Sequence, residues 1–496
     1  MFNRILIANR GEIAVRIIRA ARDLGVESVA VYHKVDKEMP FVQYADYAYQ
    51  LESETPKAAY LDIQQIIDVA KKSGSEAIHP GYGFLSERAE FSQAVSGAGL
   101  KFIGPKSYAI EIMGNKTKAR ELMSKAGVPI VPGTKEKIYD IEQAKAIAEN
   151  IGYPILLKAA AGGGGKGMRK VYKESELQSA FESAQRESMK AFGDDSIYIE
   201  KFIENPKHIE IQIIADEFDN YVHLGERDCS IQRRHQKVIE EAPSTVLTPE
   251  LRQKMGEVAI NAAKACNYLN AGTIEFLFDK NNNFYFLEMN TRLQVEHPIT
   301  EMVTGIDIAK EQIRIAAGEK LSFSQEDITW KGHAIECRIN AEDPFNDFLP
   351  DTGKIKYIRE PGGIGIRLDS GYEKNSEVSI HFDSMISKLI AYGKDRNEAI
   401  NRMKRALIDY KIVGVKTSIP FELLVMESEE FKSGKYNTGF IENNFNFSQL
   451  QKFKQENMEI IAAIAAFAHK IEKEKRVVTV NSNKSSKWKI VNKIFR

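Results

Sequence analysis

The sequence predicts a multi-domain protein of mixed α/β and α+β class: an N-terminal parallel α/β domain, a central domain with a glycine-rich loop, and a β-rich C-terminal domain. The chain has 496 residues, and at about 100–200 residues per domain this corresponds to three or four domains. Short apolar runs alternate with helical patterns over residues 5–104, which indicates parallel strands. After residue 204, hairpin patterns predict antiparallel strands with helices.

The composition excludes several classes of protein. Lysine and arginine number 69, as do aspartate and glutamate, and this balance argues against a protein that coats nucleic acid. Cys229, Cys266 and Cys337 are far apart, so neither a disulfide framework nor a structural zinc site is expected. The longest apolar run, residues 460–468, is shorter than the ~20 residues that span a bilayer. We therefore expect a cytoplasmic protein that binds neither nucleic acid nor a membrane.

The N-terminal domain is predicted over residues 1–113. Strands are expected at residues 5–8, 28–32 and 101–104, and helices at residues 13–21 and 63–70. Ligands of parallel sheets bind beyond the carboxyl ends of the strands, where the loops 9–12 and 79–87 fall. The loop 9–12 contains one glycine, whereas the dinucleotide-binding fingerprint needs three, so dinucleotide binding is disfavoured.

The next segment, residues 114–203, contains a helix at residues 116–126, a strand at 154–158 and five glycines within residues 162–167. Such a run cannot pack as a core element, but it suits close approach of the backbone to a polyanion. It is not a Walker A loop, because Lys166 is followed by Gly167. A flexible surface linker is the alternative. We favour a mobile lid over nucleotide phosphates, with Lys116 and Lys158 able to reach the phosphate oxygens.

The third segment, residues 204–330, holds the sharpest signal, a predicted hairpin over residues 272–290. If its turn is centred on residues 281–282, Glu275 lies opposite Glu288. Two facing carboxylates repel one another, and a divalent cation such as Mg²⁺ or Mn²⁺ would remove that penalty. Asn290, on the same face as Glu288, would supply a third oxygen. In the alternative interpretation, one glutamate is paired in a salt bridge and the other is exposed.

Two polar segments, a loop and a charged cluster, are candidate parts of an active site. In residues 290–298, Arg292 suits forked binding of a planar oxyanion, and Glu296 is placed to act as a general base. Residues 226–237 carry six formal charges and a histidine. The alternative for residues 290–298 is a solvated turn whose charges pair locally, and the alternative for residues 226–237 is a solvated loop. Cys229 is interpreted as a structural thiol.

These features together resemble a known family. The order of Lys116, Lys158, the glycine loop, a strand at residues 200–203 and the Glu275/Glu288 pair resembles the layout of ATP-grasp ligases. Within them the chain closely resembles biotin carboxylase, on the segments 7–14, 79–87, 226–237, 288–298 and 333–342. The resemblance covers about residues 1–448, with no departure at positions that the family assigns to catalysis. It implies an ATP-grasp lid at 114–203, a catalytic subdomain at 204–330 and a C-terminal domain at 331–448.

The resemblance also implies a role for individual residues. The nucleotide would contact Lys116, Lys158, Gly164, Gly165, Glu200, Lys201, Phe202, Ile203, His208 and His235. Two Mg²⁺ (or Mn²⁺) ions would be held by Glu275, Glu288 and Asn290. Bicarbonate would bind to Lys237, Arg292, Gln294 and the Val295 N–H, with Glu296 as its base. Arg338 would stabilise the enolate-like oxyanion of biotin, which completes the catalytic set of Lys237, Arg292, Glu296 and Arg338.

The implied activity is the carboxylation of biotin with ATP and bicarbonate through carboxyphosphate. Biotin carriers of this family hold biotin in an Ala-Met-Lys-Met-type turn, and this tetrapeptide is absent. We therefore expect the biotin carboxyl carrier and the carboxyltransferase on separate chains, and a homodimer, as is common in the family. The rival hypotheses are another ATP-grasp ligase and a catalytically silent nucleotide-binding regulator.

The tail, residues 449–496, lies beyond the family match. Residues 459–468 would place Ile460, Ile464 and Phe467 on one helical face. Residues 469–496 hold nine lysine or arginine residues and two glutamates, a net charge of +7. A frayed, solvated end is one interpretation. The other is a docking element for the carrier or transferase, anchored by Trp488, which resembles the stand-alone biotin carboxylase component of two-subunit pyruvate carboxylases. This resemblance favours pyruvate over acetyl-CoA or another acyl-CoA as the final acceptor of the carboxyl group.

Overall fold

The computed structural model describes residues 1–134, 137–159, 168–192 and 195–445, together with single residues between 450 and 470. The chain forms two units, Met1–Asn444 and Phe445–Arg496. The predicted lid glycines Gly164 and Gly165 lie outside the described residues, as do Ile460, Ile464 and Trp488 of the predicted tail element. In the described part of the chain, no helix has the length and apolar character needed to cross a membrane.

The first part of the chain is a parallel α/β layer, as predicted. Its elements are β1 (Arg4–Ile7), α1 (Gly11–Asp23), β2 (Glu27–His33), α2 (Pro40–Tyr44), β3 (Tyr47–Leu51), α3 (Pro56–Ala59), α4 (Ile63–Ser73), β4 (Ala77–His79), α5 (Ala89–Gly97), β5 (Lys101–Phe102) and α6 (Ser107–Gly114). The strand order is β3-β2-β1-β4-β5, and every pair is parallel. Strand β1 is buried at three of its four residues, as is typical of a strand covered on both faces.

The two loops predicted at the carboxyl ends of the strands are joined to each other. The Asn9 amide donates to the carbonyl oxygens of Pro80 at 2.7 Å and Tyr82 at 2.8 Å. Because α1 begins at Gly11, Glu12 lies in the first helical turn rather than in the loop predicted at residues 9–12. Glu12 therefore points from a helix end toward the same corner of the sheet, where its carboxylate accepts a hydrogen bond from the Tyr82 hydroxyl.

The second part contains α7 (Lys116–Lys125), α8 (Ile141–Ile151), β6 (Ile155–Ala159), β7 (Met168–Val171), α9 (Glu174–Phe192) and β8 (Ile197–Lys201). The strands form an antiparallel sheet in the order β7-β6-β8. The strand predicted at residues 200–203 is wrong in its position. Ile197 and Ile199 are the buried residues that fix β8, so Phe202 and Ile203 follow the strand instead of lying in it.

The third and fourth parts share one sheet. The elements of the third part are β9 (Lys207–Ala215), β10 (Tyr221–Arg233), β11 (Gln236–Ala242), α10 (Pro249–Ala265), β12 (Asn270–Phe278), β13 (Phe284–Asn290), α11 (His297–Thr304) and α12 (Ile308–Ala316). Strand β9 is buried along its whole length, because it lies inside the sheet and is covered on both faces.

The fourth part is rich in short strands, as predicted. It contains β14 (His333–Asn340), β15 (Glu342–Asp343), β16 (Leu349–Pro350), β17 (Gly353–Lys354), β18 (Tyr357–Arg359), β19 (Ile366–Ser370), β20 (Glu377–Val378), β21 (Met385–Gly393), α13 (Arg396–Asp409), β22 (Lys411–Val413), α14 (Ile419–Glu427), α15 (Glu429–Lys432) and α16 (Phe440–Asn444). An eight-stranded sheet runs β13-β12-β9-β10-β11-β14-β21-β19. The pairing of β11 with β14 thus joins the two segments that the sequence predicts on either side of residue 330.

The hairpin β12–β13 pairs Glu275 with Glu288, as predicted. The register is irregular: Phe276 pairs with Phe286, whereas Glu275 pairs with Glu288, so Leu287 is an extra residue in a β-bulge. Without that bulge the exposed Leu287, and not Glu288, would face Glu275. The bulge therefore decides which side chain lies opposite the buried carboxylate.

Candidate active site

A cluster of charged side chains lies on one face of the eight-stranded sheet. Its centre is Lys237 on β11, whose Nζ donates to Glu210 at 2.6 Å, Glu275 at 2.7 Å and Glu296 at 2.8 Å. Burial lowers the pKa of Lys237, but these three carboxylates together raise it well above its usual range. The ammonium group therefore stays charged.

Glu296 is the carboxylate that two cations share. Arg338 on β14 donates from Nη2 to Glu296 at 2.9 Å, and Lys237 binds the other carboxylate oxygen. Burial raises the pKa of Glu296, but Lys237 and Arg338 hold it well below the usual range. Glu296 is thus a fully buried, deprotonated group with cations on two sides.

Arg338 is held in turn by Glu240. Its Nε donates to Glu240 Oε1 at 2.6 Å, and Glu240 pairs in register with Glu336 on β14. Burial, opposed by Arg338, raises the pKa of Glu240 to about 7. The guanidinium group therefore lies between Glu296, whose pKa is lowered, and Glu240, whose pKa is raised.

The loop after β13 is ordered by Arg292. Its Nε donates to Glu87 at 2.9 Å, Nη1 to the Gln294 side chain at 2.9 Å, and Nη2 to Asn290 at 3.1 Å. The amides of Asn290 and Gln294 donate to Glu275 at 2.8 and 3.2 Å. Arg292 therefore connects the carboxylate cluster with Glu87 of the N-terminal loop 79–87.

The predicted metal ligands lie together at the edge of this cluster. His208 Nε2 lies 3.0 Å from Glu275, and ligand atoms of His208, Glu210 and Glu275 lie within 4.8 Å of one another. Lys237 already places a positive charge between Glu210 and Glu275. Glu288 differs, because none of the described side chains donates to its carboxylate. Its side chain reaches solvent, but partial burial together with the facing Glu275 raises its pKa. The carboxylate without a described donor is therefore that of Glu288, which lies beside Glu275 and the Asn290 amide.

The predicted nucleotide residues are spread over a larger surface. The Lys158 ammonium group on β6 contacts Glu200 on β8, which also accepts a hydrogen bond from Arg120 at 2.6 Å. Lys201 donates to the Gly152 and Tyr153 carbonyl oxygens at 2.9 and 2.8 Å. These bonds order the end of the three-stranded sheet.

Other predicted nucleotide residues make no hydrogen bond with the Lys237 cluster in the described part of the chain. Lys116 is the first residue of α7 and is exposed. His235 is exposed at the tip of the β10–β11 hairpin with φ of 64°. Ile203 is partly buried beyond the end of β8, and Phe202 packs its ring near Tyr172 at 6.4 Å between centroids. Each of these residues flanks the sheet instead of joining its charged centre.

Several members of the cluster escape sequence reasoning. Glu210 and Glu240 were not predicted, and the fully buried Arg227 was covered only as a member of the candidate segment 226–237. Arg227 binds Glu210 and donates to Gln212 at 2.7 Å and to Thr300 at 3.0 Å. The available signal is that Glu210 and Glu240 stand inside apolar strand runs. Cys229, predicted to be structural, is buried with its Sγ 3.9 Å from Glu296, and burial raises the pKa of its thiol well above the usual range.

Three family models match the chain in succession. The biotin carboxylase N-terminal domain matches residues 1–110, the carbamoyl-phosphate synthase L chain ATP binding domain residues 115–324, and the biotin carboxylase C-terminal domain residues 336–443. With the sheet described above, these matches define an ATP-dependent ligase of the ATP-grasp class.

Curated relatives give the family within that class. A pyruvate carboxylase subunit of Methanothermobacter thermautotrophicus is 55% identical over 93% of this chain and 94% of its own length. Biotin carboxylase 1 of Bacillus subtilis is 53% identical over 89% of this chain and 98% of its own length. The 2-oxoglutarate carboxylase small subunit of Hydrogenobacter thermophilus is 48% identical over 95% of this chain and 100% of its own length. The chain belongs to the biotin carboxylase family.

Solved structures agree with this assignment. The biotin carboxylase subunit of pyruvate carboxylase superimposes with a TM-score of 0.84 at 52% identity, covering 89% of this chain and 98% of that one. The biotin carboxylase domain of a thermophilic 2-oxoglutarate carboxylase, solved with bicarbonate, gives 0.86 at 49% identity with the same coverage. The predicted resemblance and fold class are therefore confirmed.

Proposed function

We propose that this biotin carboxylase uses ATP and bicarbonate to carboxylate biotin on a separate carrier protein, in the cytoplasm, as the first half-reaction of a pyruvate carboxylase. Bicarbonate attacks the γ-phosphate of ATP and gives carboxyphosphate and ADP. Carboxyphosphate then releases CO₂ and phosphate, the phosphate takes the ureido N–H proton of biotin, and the deprotonated ureido nitrogen captures the CO₂. Two solved relatives support the substrates, since one was obtained with bicarbonate and another with MgADP and bicarbonate.

The observation that carries this proposal is the pair of cations on Glu296. In the structure described, Lys237 and Arg338 donate to Glu296 and hold its pKa low. An anion that binds beside Arg292 would compete for these donors. As Lys237 turns toward the anion, the positive charge beside Glu296 decreases. The pKa of Glu296 therefore rises toward that of an effective general base. The arrangement thus activates the base when the anionic substrate is in place.

The nucleotide would bind along the three-stranded sheet and the edge of the carboxylate cluster. Lys116, Lys158, His208, His235 and the lid residues Gly164 and Gly165 would contact ATP, and the segment Glu200, Lys201, Phe202 and Ile203 would face the adenine. Mg²⁺, or Mn²⁺ in its place, fits Glu275, Glu288 and Asn290, because Glu288 faces another carboxylate with no described donor. When bound, the two ions supply charge neutralisation of the phosphates.

Arg338 would bind the ureido oxygen of biotin. A planar guanidinium group with several donors suits an oxygen on which negative charge develops, and its bond to Glu240 orients it toward the same face as Lys237. Arg292, Gln294 and the Val295 N–H would hold bicarbonate. We also propose the domain division at residues 113/114, 203/204, 330/331 and 448/449.

The partners follow from the same proposal. The carrier and the carboxyltransferase would be separate chains, as the subunit naming of the relatives suggests. A homodimer is supported by a solved relative described as a biotin carboxylase domain dimer. Pyruvate is favoured as the acceptor by the 55% identity to a pyruvate carboxylase subunit. Relatives that serve 2-oxoglutarate and methylcrotonoyl-CoA make those acceptors the alternatives.

The experiment is an assay of ATP cleavage by the full chain with and without bicarbonate, Mg²⁺ and free biotin. We expect cleavage that depends on bicarbonate and is stimulated by biotin, and that falls by about a hundredfold or more in Glu296→Gln. The matched control is Glu311→Gln, a buried acid on α12 that has its own partner, Arg314, at 2.6 Å. Cleavage without any biotin stimulation would indicate another ATP-grasp ligase, and ATP binding without cleavage a silent regulator.

A further inference from the structure

Two buried side chains hold the peptide units on either side of Val295. His297 Nδ1 lies 2.7 Å from the Gln294 carbonyl oxygen, and Lys388 Nζ donates to the Val295 carbonyl oxygen at 2.9 Å. His297 and Lys388 each have 0% exposure. They come from α11 and β21, and neither was among the predicted site residues. The loop that carries Glu296 is therefore held from inside the protein.

The protonation state of His297 follows from its partner. A carbonyl oxygen can only accept, so Nδ1 carries the proton of the ring. Burial and the positive charges of Lys388 and Arg16 hold the pKa of His297 well below its usual range, so the ring is neutral. Nε2 has no hydrogen-bond partner within the described ranges. The single N–H of this histidine is therefore committed to the Gln294 peptide.

Lys388 is a buried cation with its charge balanced locally. Its Nζ lies 3.2 Å from Glu12 and 4.0 Å from Asp369. A buried lysine is costly unless its charge is paired and its donors are used. Its Nζ also lies 6.0 Å from the centroid of the Tyr82 ring. With its hydrogen bond to the Val295 carbonyl, the lysine ties the first turn of α1 and the β19–β21 pair to the loop before α11.

These two contacts fix the orientation of the peptide groups on either side of Val295. The peptides here are trans, and a planar trans peptide points its C=O and N–H in opposite directions. The Gln294 carbonyl is bonded to the His297 ring and, at 3.4 Å, to the His297 backbone N–H, so the Val295 N–H points away from His297. The Val295 carbonyl is bonded to Lys388, so the Glu296 N–H points away from Lys388. No acceptor within the described part of the chain contacts either N–H.

We propose that His297 and Lys388 are positioning residues that aim the backbone N–H of Val295 at bicarbonate and fix the orientation of Glu296. The inference rests on the proposed function, because it takes bicarbonate to be the anion at that N–H. Neither side chain touches the substrate. Their effect should therefore appear in the bicarbonate step and not in the binding of ATP.

The test uses three variants of the full chain at His297. The asparagine amide nitrogen occupies the place of Nδ1, the glutamine nitrogen occupies that of Nε2, and leucine has no donor. We expect His297→Leu and His297→Gln to raise the KM for bicarbonate about tenfold or more while the KM for ATP changes less than about twofold. His297→Asn should stay close to the parent in both constants. Melting curves establish that each variant is folded.

The control is His223→Gln, which alters another buried imidazole, stacked on Trp330 at 5.9 Å between ring centroids and outside the cluster. The inference is wrong if His297→Asn and His297→Gln have the same KM for bicarbonate, or if the KM for ATP rises by the same factor. If His297→Leu does not fold, the asparagine–glutamine comparison alone decides. A parent chain without bicarbonate-dependent cleavage would instead contradict the proposed function, so the two failures are distinguishable.

Discussion

At the scale of single residues, Glu288 shows how a carboxylate can be placed for a ligand rather than for stability. It faces Glu275 across the hairpin, is exposed to solvent and accepts no hydrogen bond from the described side chains. Glu275 differs, because Lys237 and His208 hold its pKa below the usual range although burial opposes them. One acid of the pair is therefore satisfied by the protein, and the other is available to a cation.

Glu288→Gln tests this difference. The substitution keeps the shape but removes one negative charge from the proposed metal site, so we expect bicarbonate-dependent ATP cleavage to fall about a hundredfold or more. The melting temperature without Mg²⁺ should not decrease, because the charge lost is one that Glu275 repels. The rise in melting temperature that Mg²⁺ and ADP give the parent should be lost. Parental activity at saturating Mg²⁺ would contradict the two-carboxylate site.

Arg338→Gln tests whether Arg338 acts in biotin carboxylation and not in ATP cleavage. We expect biotin carboxylation to fall about a hundredfold and ATP cleavage by less than about tenfold, because the proposed role of Arg338 begins after carboxyphosphate forms. Arg338 lowers the pKa of Glu296, so its loss raises that pKa. A base acts when deprotonated, and the acidic limb of the kcat/KM profile should therefore move to higher pH. Equal losses of both activities with an unchanged pH profile would show that the assignment is wrong.

The local sequence pattern indicates some of these residues and not others. Glu275, Glu288, Arg292 and Glu296 stand out because polar groups crowd the end of an apolar strand. Glu240 and Lys388 could not be found in this way, because each stands within a strand and its partner comes from a distant strand or helix. Only the pairing of β11 with β14 and of β14 with β21 brings these charges to Arg338.

At the scale of secondary structure, the β12–β13 hairpin has the predicted pairing of Glu275 with Glu288. The pairing depends on a β-bulge that the sequence did not predict. The Asp279 carboxylate accepts N–H bonds from Asn281 and Asn283 at 2.8 and 2.9 Å, which closes the turn around residue 281. A regular ladder from that turn would place Leu287 opposite Glu275. The bulge restores the predicted pair, and no local propensity in the sequence indicates it.

Arg227 on β10 connects this strand to strands β9 and β12 through side-chain hydrogen bonds. Its side chain is fully buried and binds Glu210 on β9, Thr273 on β12 at 3.1 Å and Thr300 on α11 at 3.0 Å. Among the residues that the structure describes, Arg227→Met leaves the buried Glu210 with Lys237 as its one remaining cation. We expect a loss of about 3–5 kcal/mol in the free energy of unfolding, measured in urea. Arg186→Met on α9, where the side chain is 71% exposed, should leave the urea midpoint unchanged. Equal stabilities of the two variants would contradict this role of Arg227.

At the scale of the whole molecule, the alternation of strands and helices was sufficient to predict the parallel N-terminal sheet, since neighbouring elements in the sequence are neighbours in space. The large antiparallel sheet could be predicted only in part. Its central pairing joins residues 236–242 to 333–340, across about ninety residues, and nothing in either run specifies the other. The domain boundary proposed at residues 330/331 therefore lies between two strands that pair with each other in one sheet.

The tail supplies the prediction at this scale. If residues 449–496 form the docking element that the sequence suggests, a chain ending at Phe447 should carboxylate free biotin at the parental rate. It should associate at least about tenfold more weakly with the biotinylated partner, because an apolar stripe and a basic end are removed together. Binding of the purified partner to parent and truncated chains provides the measurement. Undiminished affinity would leave the tail as a solvated end.

The continuous eight-stranded sheet also limits how proteins of this architecture can recombine. A crossover between two such chains at residue 330 would combine strand β11 of one parent with strand β14 of the other. It would have to preserve the facing acids Glu240 and Glu336 and the bond from Arg338 to Glu240. A crossover at the start of β9 divides no ladder of that sheet. We therefore expect functional chimaeras of two such chains to take residues 207–444 from a single parent.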